Sequence, residues 1–388
     1  MYAVVLLRCA DLYPLAGTQG DSADYAVLGQ SLFEGDGLVV NGTPMVLFPP
    51  GYPGLVGLFQ NVFPGRWAGH IVNIAAHAIT LFLLFRISTA FFTGLWPWVV
   101  ILLYAVNSHI IINATNGHSE AIFILTCVWM SSLVIGREDS WTTTTSVLFG
   151  SLWGISYLVR PEGLAVGAIL FLLMNMKWRK SYANGTAAVV VLCFLMLITP
   201  YLVFLRVTTG IWQISGKTYA NLVLGEIGSP YQTGGGVSAG RYAILRSIAN
   251  DPSQALSIGE YLEDPPEKLF SRFPHNAKRL LEIIHHSIHG IGLLLAGLGF
   301  WFVTGVRRRL GWVLLPILAY SMFFITHRFI SIYLWALIIY MTAGFKHTFE
   351  LISRRWGVSI ASRMISTTVV LEVIYEIRSI VKIMVNGI

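Results

Sequence analysis

A chain of 388 residues that is 55% hydrophobic and 12% charged, with a mean hydropathy of +0.66, is not a soluble globular domain, since such domains carry roughly 25% charge. The formal charge of +7 marks membrane sidedness rather than nucleic-acid binding, because in a polytopic chain the placement of Lys and Arg matters more than their sum. The three cysteines, Cys9, Cys127 and Cys193, lie in or beside apolar runs without metal-type spacing and read as small buried hydrophobes.

In chain order, Met1–Ala16 reads as the end of a first span or as a short first helix, with Arg8 and Asp11 inside it. It is shorter than the ~20 apolar residues a span needs. The charge order is also wrong for a cleaved signal peptide. The next stretch, Gly20–Pro53, is the least apolar part of the first quarter and holds Asp21, Asp24, Glu34 and Asp36. Asp21 begins an amphipathic helix whose apolar face is Tyr25, Leu28, Leu32 and Phe33, and a carboxylate there suits an N-cap. Pro49-Pro50-Gly51-Tyr52-Pro53 is a rigid turn, opening a second short helix over Gly54–Val62.

Apolar runs of spanning character follow at Trp67–Phe85, Gly94–Ile112, Glu120–Ile135, Thr145–Val159, Gly163–Met176 and Thr186–Leu205. After a polar stretch from Val207 to His286 come Ile288–Val306, Gly311–Thr326 and Phe329–Phe345. With the first span running inside to outside, the short inner loops carry Arg86, Arg137, Lys177, Arg179, Lys180, Arg307, Arg308 and Arg309, and the short outer turns carry only Arg160 and Arg328. This asymmetry orients the chain. The opening loop, the Asn113–Ser119 turn, the Arg160 turn, the long polar loop and the Arg328 turn then share the outer face.

The long loop has turn signals at Gly234-Gly235-Gly236 and Pro265-Pro266, with short helices expected at Ala239–Ala249 and His275–His286. The chain divides into a membrane domain over 1–345, with outer loops 17–66 and 207–286, and a cytoplasmic tail over 346–388. In Thr367–Ile388 the charges of Glu372, Glu376, Arg378 and Lys382 interrupt the apolar residues, so an amphipathic helix on the inner surface is expected rather than a span.

The opening loop, read as D-x-x-x-Y-x-x-L from Asp21, then Gly35-Asp36-Gly37, then Pro49–Pro53, resembles the first outer loop of GT-C-fold glycosyltransferases. The resemblance is to the dolichyl-phosphate-mannose–protein mannosyltransferase-like family, which includes aminoarabinose and lipopolysaccharide glycosyltransferases. His118-Ser119-Glu120 is similar to that family's S/T-E opening of the fourth span, and Tyr157–Leu164 to its R-P-E-G turn. Gly210–Lys217 is similar to a G-x-W-x-x-x-x-K stretch. The last match is His327-Arg328-Phe329, similar to an R-Y-x-x-P motif, with Ile332 and Tyr333 where proline would fall.

The resemblance implies an all-α polytopic fold, a GT-C-like bundle of about ten transmembrane helices with juxtamembrane helices on the outer face. It implies a multi-pass protein of the bacterial inner or plasma membrane. The implied reaction is inverting transfer of a sugar from a polyprenyl-phosphate donor to a lipid, glycan or protein acceptor, with membrane lipids as surroundings. By position in the motifs, Asp21 is the general base, with Asp24 in reserve and Glu120 assisting. Arg160, Arg328 and Lys217, in that order, bind the donor phosphate, and Tyr25, His118 and Glu162 support them. The chemistry fits these residue types. A carboxylate accepts the proton of a poor hydroxyl nucleophile, and arginine forks bind departing phosphate oxygens.

Plainer roles stand beside these. Asp21 could only cap its helix, Arg160 could only pair with Glu162, and Glu120 could cap the fourth span or bind a metal. A divalent-metal requirement is left open. His285 and His286 with His289 have a spacing that could face one way on a helix, but no carboxylate or cysteine completes a tetrahedral set. The rival readings are a secondary transporter, which would place its ionisable groups at the bilayer midplane and show inverted repeats, and a non-enzymatic membrane scaffold of a cell-envelope glycan pathway.

Overall fold

The computed structural model describes residues 6–7, 9–10, 21–63, 67–135, 141–178, 184–217, 267–319 and 327–386. Most of the first apolar run, the glycine and proline signals of the long loop and the helix expected at Ala239–Ala249 lie outside these residues. Among the described residues the chain is helical apart from one two-residue hairpin, β1 (Val39–Val40) against β2 (Thr43–Pro44), antiparallel with Val40 opposite Thr43. Asn41 and Gly42 turn it, both at positive φ (51° and 79°), the backbone that a two-residue hairpin loop requires.

The helices, in chain order, begin with α1 (Asp21–Glu34), α2 (Gly51–Gln60), α3 (Trp67–Phe91), α4 (Trp96–Val106), α5 (Ser108–Thr115) and α6 (Glu120–Ile135). Next come α7 (Thr143–Val159), α8 (Gly163–Trp178), α9 (Asn184–Thr209) and α10 (Glu267–Phe302). The last are α11 (Gly305–Arg309), α12 (Leu315–Ala319), α13 (His327–Ser331), α14 (Leu334–Trp356) and α15 (Val358–Asn386). Among the described residues, four helical stretches are long and apolar enough to cross a membrane singly: α3, 185–209 of α9, 276–302 of α10 and 358–381 of α15. The bent pair α4–α5 passes the same test only when the two helices are taken together as one span, and α6 and 163–176 of α8 are shorter apolar helices. This is an all-α polytopic membrane protein.

Two expected elements take another form. Gly94–Ile112 is broken at Asn107, where α4 and α5 meet at 62°. Asn107 leaves the helical region (φ −65°, ψ 123°) and its Oδ1 accepts from the backbone N–H of Ile110, capping α5. Gly311–Thr326 begins as a 3₁₀ turn at Leu310–Leu314 and continues only as far as α12 before residues 320–326, which lie outside the described set. The stretch expected to lie as an amphipathic surface helix is α15; by length and composition it is also apolar enough to span, and it packs on α4, α5 and α14, burying Glu376 and Ile380. Between Glu372 and Arg378 the two acids turn toward the bundle, while Arg378 is exposed.

The juxtamembrane unit is built from close backbone contact. α1 crosses α2 at Gly29 and Gly57; a Cβ on Gly29 would lie 2.6 Å from the Pro53 carbonyl oxygen, and one on Gly57 would overlap Gly29 itself. That contact seats Tyr25, Leu28 and Tyr52 in one core with Phe48, the Tyr25 ring making edge contacts to Phe48 (4.9 Å) and Tyr52 (4.8 Å). Leu28 is buried as the periodicity predicts, while Phe33, assigned to the same face, is 58% exposed.

Candidate active site

Five stretches far apart in sequence meet around one guanidinium. Arg328, on α13, donates from Nε to Glu120 Oε1 at 2.7 Å and from Nη1 to Asp21 Oδ2 at 3.0 Å. Arg160, at the C-terminal end of α7, donates from Nη1 to the same Glu120 oxygen at 2.8 Å and from Nη2 to Glu162 Oε1 at 2.9 Å. Lys217 completes the set, its Nζ 3.8 Å from Asp21 Oδ2 and 3.9 Å from the centre of the Phe48 ring. Three cations thus stand among three carboxylates.

Local structure explains each placement. Asp21 begins α1, and its carboxylate engages Arg328 and Lys217. Glu120 opens α6 and is fully buried, so its charge is tolerable only because two arginines reach it. Arg160 has extended backbone (φ −150°, ψ 134°), which stops α7 before Pro161. Its guanidinium lies between the rings of Phe123 (5.9 Å) and Phe329 (5.7 Å). Lys217 is set by Gly216, whose missing side chain lets the backbone lie against the Val46 carbonyl. Tyr157 Oη, donating to the Ile214 carbonyl at 2.5 Å, ties that loop segment to α7.

The two sides of the network differ in access. The Arg160 and Glu120 side chains are 9% and 0% exposed, whereas Arg328 and Lys217 are 31% and 26% exposed, with Asp21 at 16%. The open side is therefore Asp21, Lys217 and Arg328. Glu120 Oε2 is buried with no hydrogen-bond partner. Such a group ordinarily finds one.

Burial alone would raise the Asp21 carboxyl, but Lys217 and Arg328 outweigh it and hold Asp21 far below the usual carboxylate range. Tyr25 moves up through burial and the nearby Asp21 and Glu120 charges, so its phenol stays protonated; it contacts Ser119 Oγ at 3.4 Å. His118 is lowered to about 4 by burial and by Arg328, so its ring is neutral at pH 7. Its backbone carbonyl accepts from Asn73 Nδ2 at 2.7 Å. Asp24 lies one turn along α1, partly buried; the ion pairs to Arg328 and Lys217 are Asp21's.

All three expected cations and both principal carboxylates thus meet, Glu162 included through Arg160. What sequence reasoning does not find is Asn73, on α3, which holds the His118 turn in place; a lone Asn in an apolar run is the available signal. The motif order also puts Arg160 first among phosphate ligands, whereas the structure makes it the most enclosed of the three.

No family model matches the chain, and no curated protein matches it. Among solved structures it is similar to ArnT from Cupriavidus metallidurans. In the apo state the identity is 13%, covering 87% of this chain and 75% of that one, with a TM-score of 0.40. For ArnT bound to undecaprenyl phosphate the identity is 12%, covering 91% and 79%, with a TM-score of 0.44.

Proposed function

We propose that this chain is an integral-membrane glycosyltransferase that moves a sugar from a polyprenyl-phosphate donor to an acceptor at the outer face, with inversion at the anomeric carbon. The observation that carries the reading is the convergence of Asp21, Lys217 and Arg328 on the accessible side of a buried Glu120–Arg160 support. One carboxylate and two cations within reach of each other are what such a transfer requires. The donor class comes from the motif resemblance of the opening loop and the Arg160 and Arg328 turns.

In the reaction the acceptor oxygen or nitrogen attacks the anomeric carbon from the face opposite the phosphate. The bond from that carbon to the phosphate oxygen breaks, and its electron pair leaves with the polyprenyl phosphate. The acceptor's proton passes to Asp21. As long as Asp21 is paired with Lys217 and Arg328 it is a weak base. A donor phosphate drawn to those two cations competes for them, relieves the carboxylate of its counter-ions and raises its basicity when the substrate is in place. Arg328 and Lys217 then face the charge that develops on the leaving phosphate. Arg160 does not need to touch substrate. It holds Glu120, and Glu120 holds the Nε edge of Arg328. Glu120, fully buried, acts in the same way, through Arg328 rather than on substrate.

The test has two stages. Comparative glycan and lipid mass spectrometry of cells with and without the gene identifies the lost sugar and acceptor. Transfer from the matching polyprenyl-phosphate sugar in proteoliposomes is then measured for wild type and Asp21→Asn. Loss of a general base costs roughly 10²- to 10⁴-fold. Wild-type rates in both Asp21→Asn and Asp24→Asn would sink the base assignment, and an unchanged glycan profile on deletion would sink the enzyme reading.

A further inference from the structure

A second polar cluster lies apart from the network around Arg328. It is formed by His289 on α10 and Glu372 and Glu376 on α15, whose ligand atoms all lie within 4.8 Å of one another. In the local sequence His289 stands near His285 and His286, with Glu282 as the nearest carboxylate. The carboxylates come from the far end of the chain, because α15 returns against the bundle and presents positions i and i+4 on one face.

We propose that His289, Glu372 and Glu376 bind a divalent transition metal of the zinc class, clasping the last helix to the bundle. Three features carry this. The first is the ligand set and its geometry. One imidazole and two carboxylates suit zinc, with bonds of about 2.0–2.2 Å, so neighbouring ligands in a tetrahedral shell stand roughly 3.4 Å apart. His289 Nε2 and Glu372 Oε1 are already 3.8 Å apart, and small side-chain rotations close the set.

The second is an orphaned atom. His289 Nε2 is buried and makes no hydrogen bond, although it faces a carboxylate. The helix break that aims it there (φ 54°, ψ 164° at His289) releases it from the 3.6-residue repeat of α10. The ring is held edge-on to Tyr375 at 3.9 Å.

The third is charge and its support. Glu376 is 3% exposed, and among the described residues no Lys or Arg forms an ion pair with Glu372 or Glu376. Two carboxylates against an apolar bundle, faced by one imidazole, are costly without a cation. Glu376 is also oriented as a ligand would be: Oε1 accepts from Asn107 Nδ2 at 2.8 Å, and Oε2 from the Ser108 N–H at 2.9 Å. Each oxygen keeps a lone pair for a metal, and such outer hydrogen bonds characteristically fix metal-bound carboxylates. Asn107 Nδ2 also reaches the Ser287 carbonyl at 3.0 Å, so one side chain joins the α4–α5 break, α10 and α15.

The test uses the full chain purified in detergent on a tag without histidine, stripped with chelator. Zinc is then titrated against a fluorescent zinc indicator, and bound metal is counted by mass spectrometry after desalting. One zinc per chain is expected, with a rise in Tm on adding zinc, and with magnesium at equal concentration failing to displace it. Glu372→Gln and His289→Ala are each expected to weaken zinc binding at least tenfold and to abolish the Tm rise. Glu372→Gln keeps the shape of the side chain and leaves the Asn107 contacts of Glu376 intact, so it is the variant that separates metal loss from misfolding. Asp21→Asn is expected to retain the zinc. No saturable zinc binding by wild type, unchanged binding in Glu372→Gln, or binding lost in Asp21→Asn would each overturn the assignment.

Discussion

Replacing Glu120 by alanine is the most direct probe of the charge network. Glu120 Oε1 accepts from Arg160 at 2.8 Å and Arg328 at 2.7 Å inside a fully buried site. Hydrogen bonds to charged groups contribute about 1.5–3 kcal/mol each, so the two together give roughly 3–6 kcal/mol. Two effects offset this. Each arginine keeps one carboxylate, Glu162 for Arg160 and Asp21 for Arg328. The unpartnered Oε2 also disappears, and leaving such an oxygen unsatisfied costs about 1–3 kcal/mol. The expected net loss for Glu120→Ala is about 2–4 kcal/mol, close to the range for breaking a buried ion pair. Glu120→Gln keeps an acceptor oxygen but not the charge, and charge-assisted bonds are about twice as strong as neutral ones. It should therefore lose roughly half as much. Thermal unfolding of the detergent-purified protein at pH 7, followed by tryptophan fluorescence, should rank wild type above Gln and Gln above Ala. A Gln variant more stable than wild type would refute the reasoning, because it would mean that desolvating the carboxylate outweighs both arginine bonds.

Other outcomes follow from the same geometry. Lys217→Gln should raise the KM for the lipid donor about tenfold or more, since it removes an accessible cation worth about 1.5 kcal/mol or more to a phosphate; steady-state kinetics over donor concentration checks this, and an unchanged KM counts against a phosphate role. Arg160→Lys should lower kcat and thermal stability together with little change in donor KM, because Arg160 is enclosed and acts through Glu120. Gly57→Ala should shift α1 off α2 and cut transfer while most of the bundle stays folded, read as lost activity in protein of normal size-exclusion profile. His118, lowered to about 4, is neutral from pH 5 upward and should give no acid limb in the donor-free pH–rate profile between pH 5.5 and 8; an acid limb near pH 6.5 that vanishes in His118→Gln would contradict this. Asp21 is depressed in the folded state, so its pairing stabilises the fold above the unfolded carboxylate pKa of about 3.9 and is lost only as pH falls below that toward the folded value.

How much of this is legible in the sequence depends on distance along the chain. The apolar runs place α3, α6, α8 and α9 to within a few residues, because burial and lipid exposure both demand apolar side chains over a full span. The break at Asn107 is not legible, since one Asn and one Ser in an apolar run look like tolerated polar residues until a capping bond and a partner on α15 are seen. The packing of the tail against the bundle is not legible for a related reason. Glu372 and Glu376 look like the wet face of a surface helix, and a charge that faces a buried imidazole has the same letter as one that faces water. The site residues are legible as motifs, while their pairing is not. Nothing in the order of letters says that Asp21 and Arg328 share a bond.

Pairing also decides which residues act on substrate. Arg160, Arg328 and Lys217 against Asp21, Glu120 and Glu162 give three positive charges and three negative ones, so these six leave no excess charge. Among the described residues these six therefore do not attract an anionic donor by a net field of their own. On the proposed reading the site binds one by exchange, and exchange occurs where pairs are weakest and most open to water. Lys217–Asp21 at 3.8 Å is the longest of the site's ion pairs, and both partners are partly exposed; Arg160–Glu120 is short and enclosed. Phosphate should therefore displace Asp21 from Lys217 first and share Arg328 next, leaving Glu120 and Arg160 in place. The step that admits the donor is then the step that frees the base, and Lys217→Gln, by loosening Asp21 in advance, should raise the basicity of the donor-free carboxylate even as it weakens donor binding.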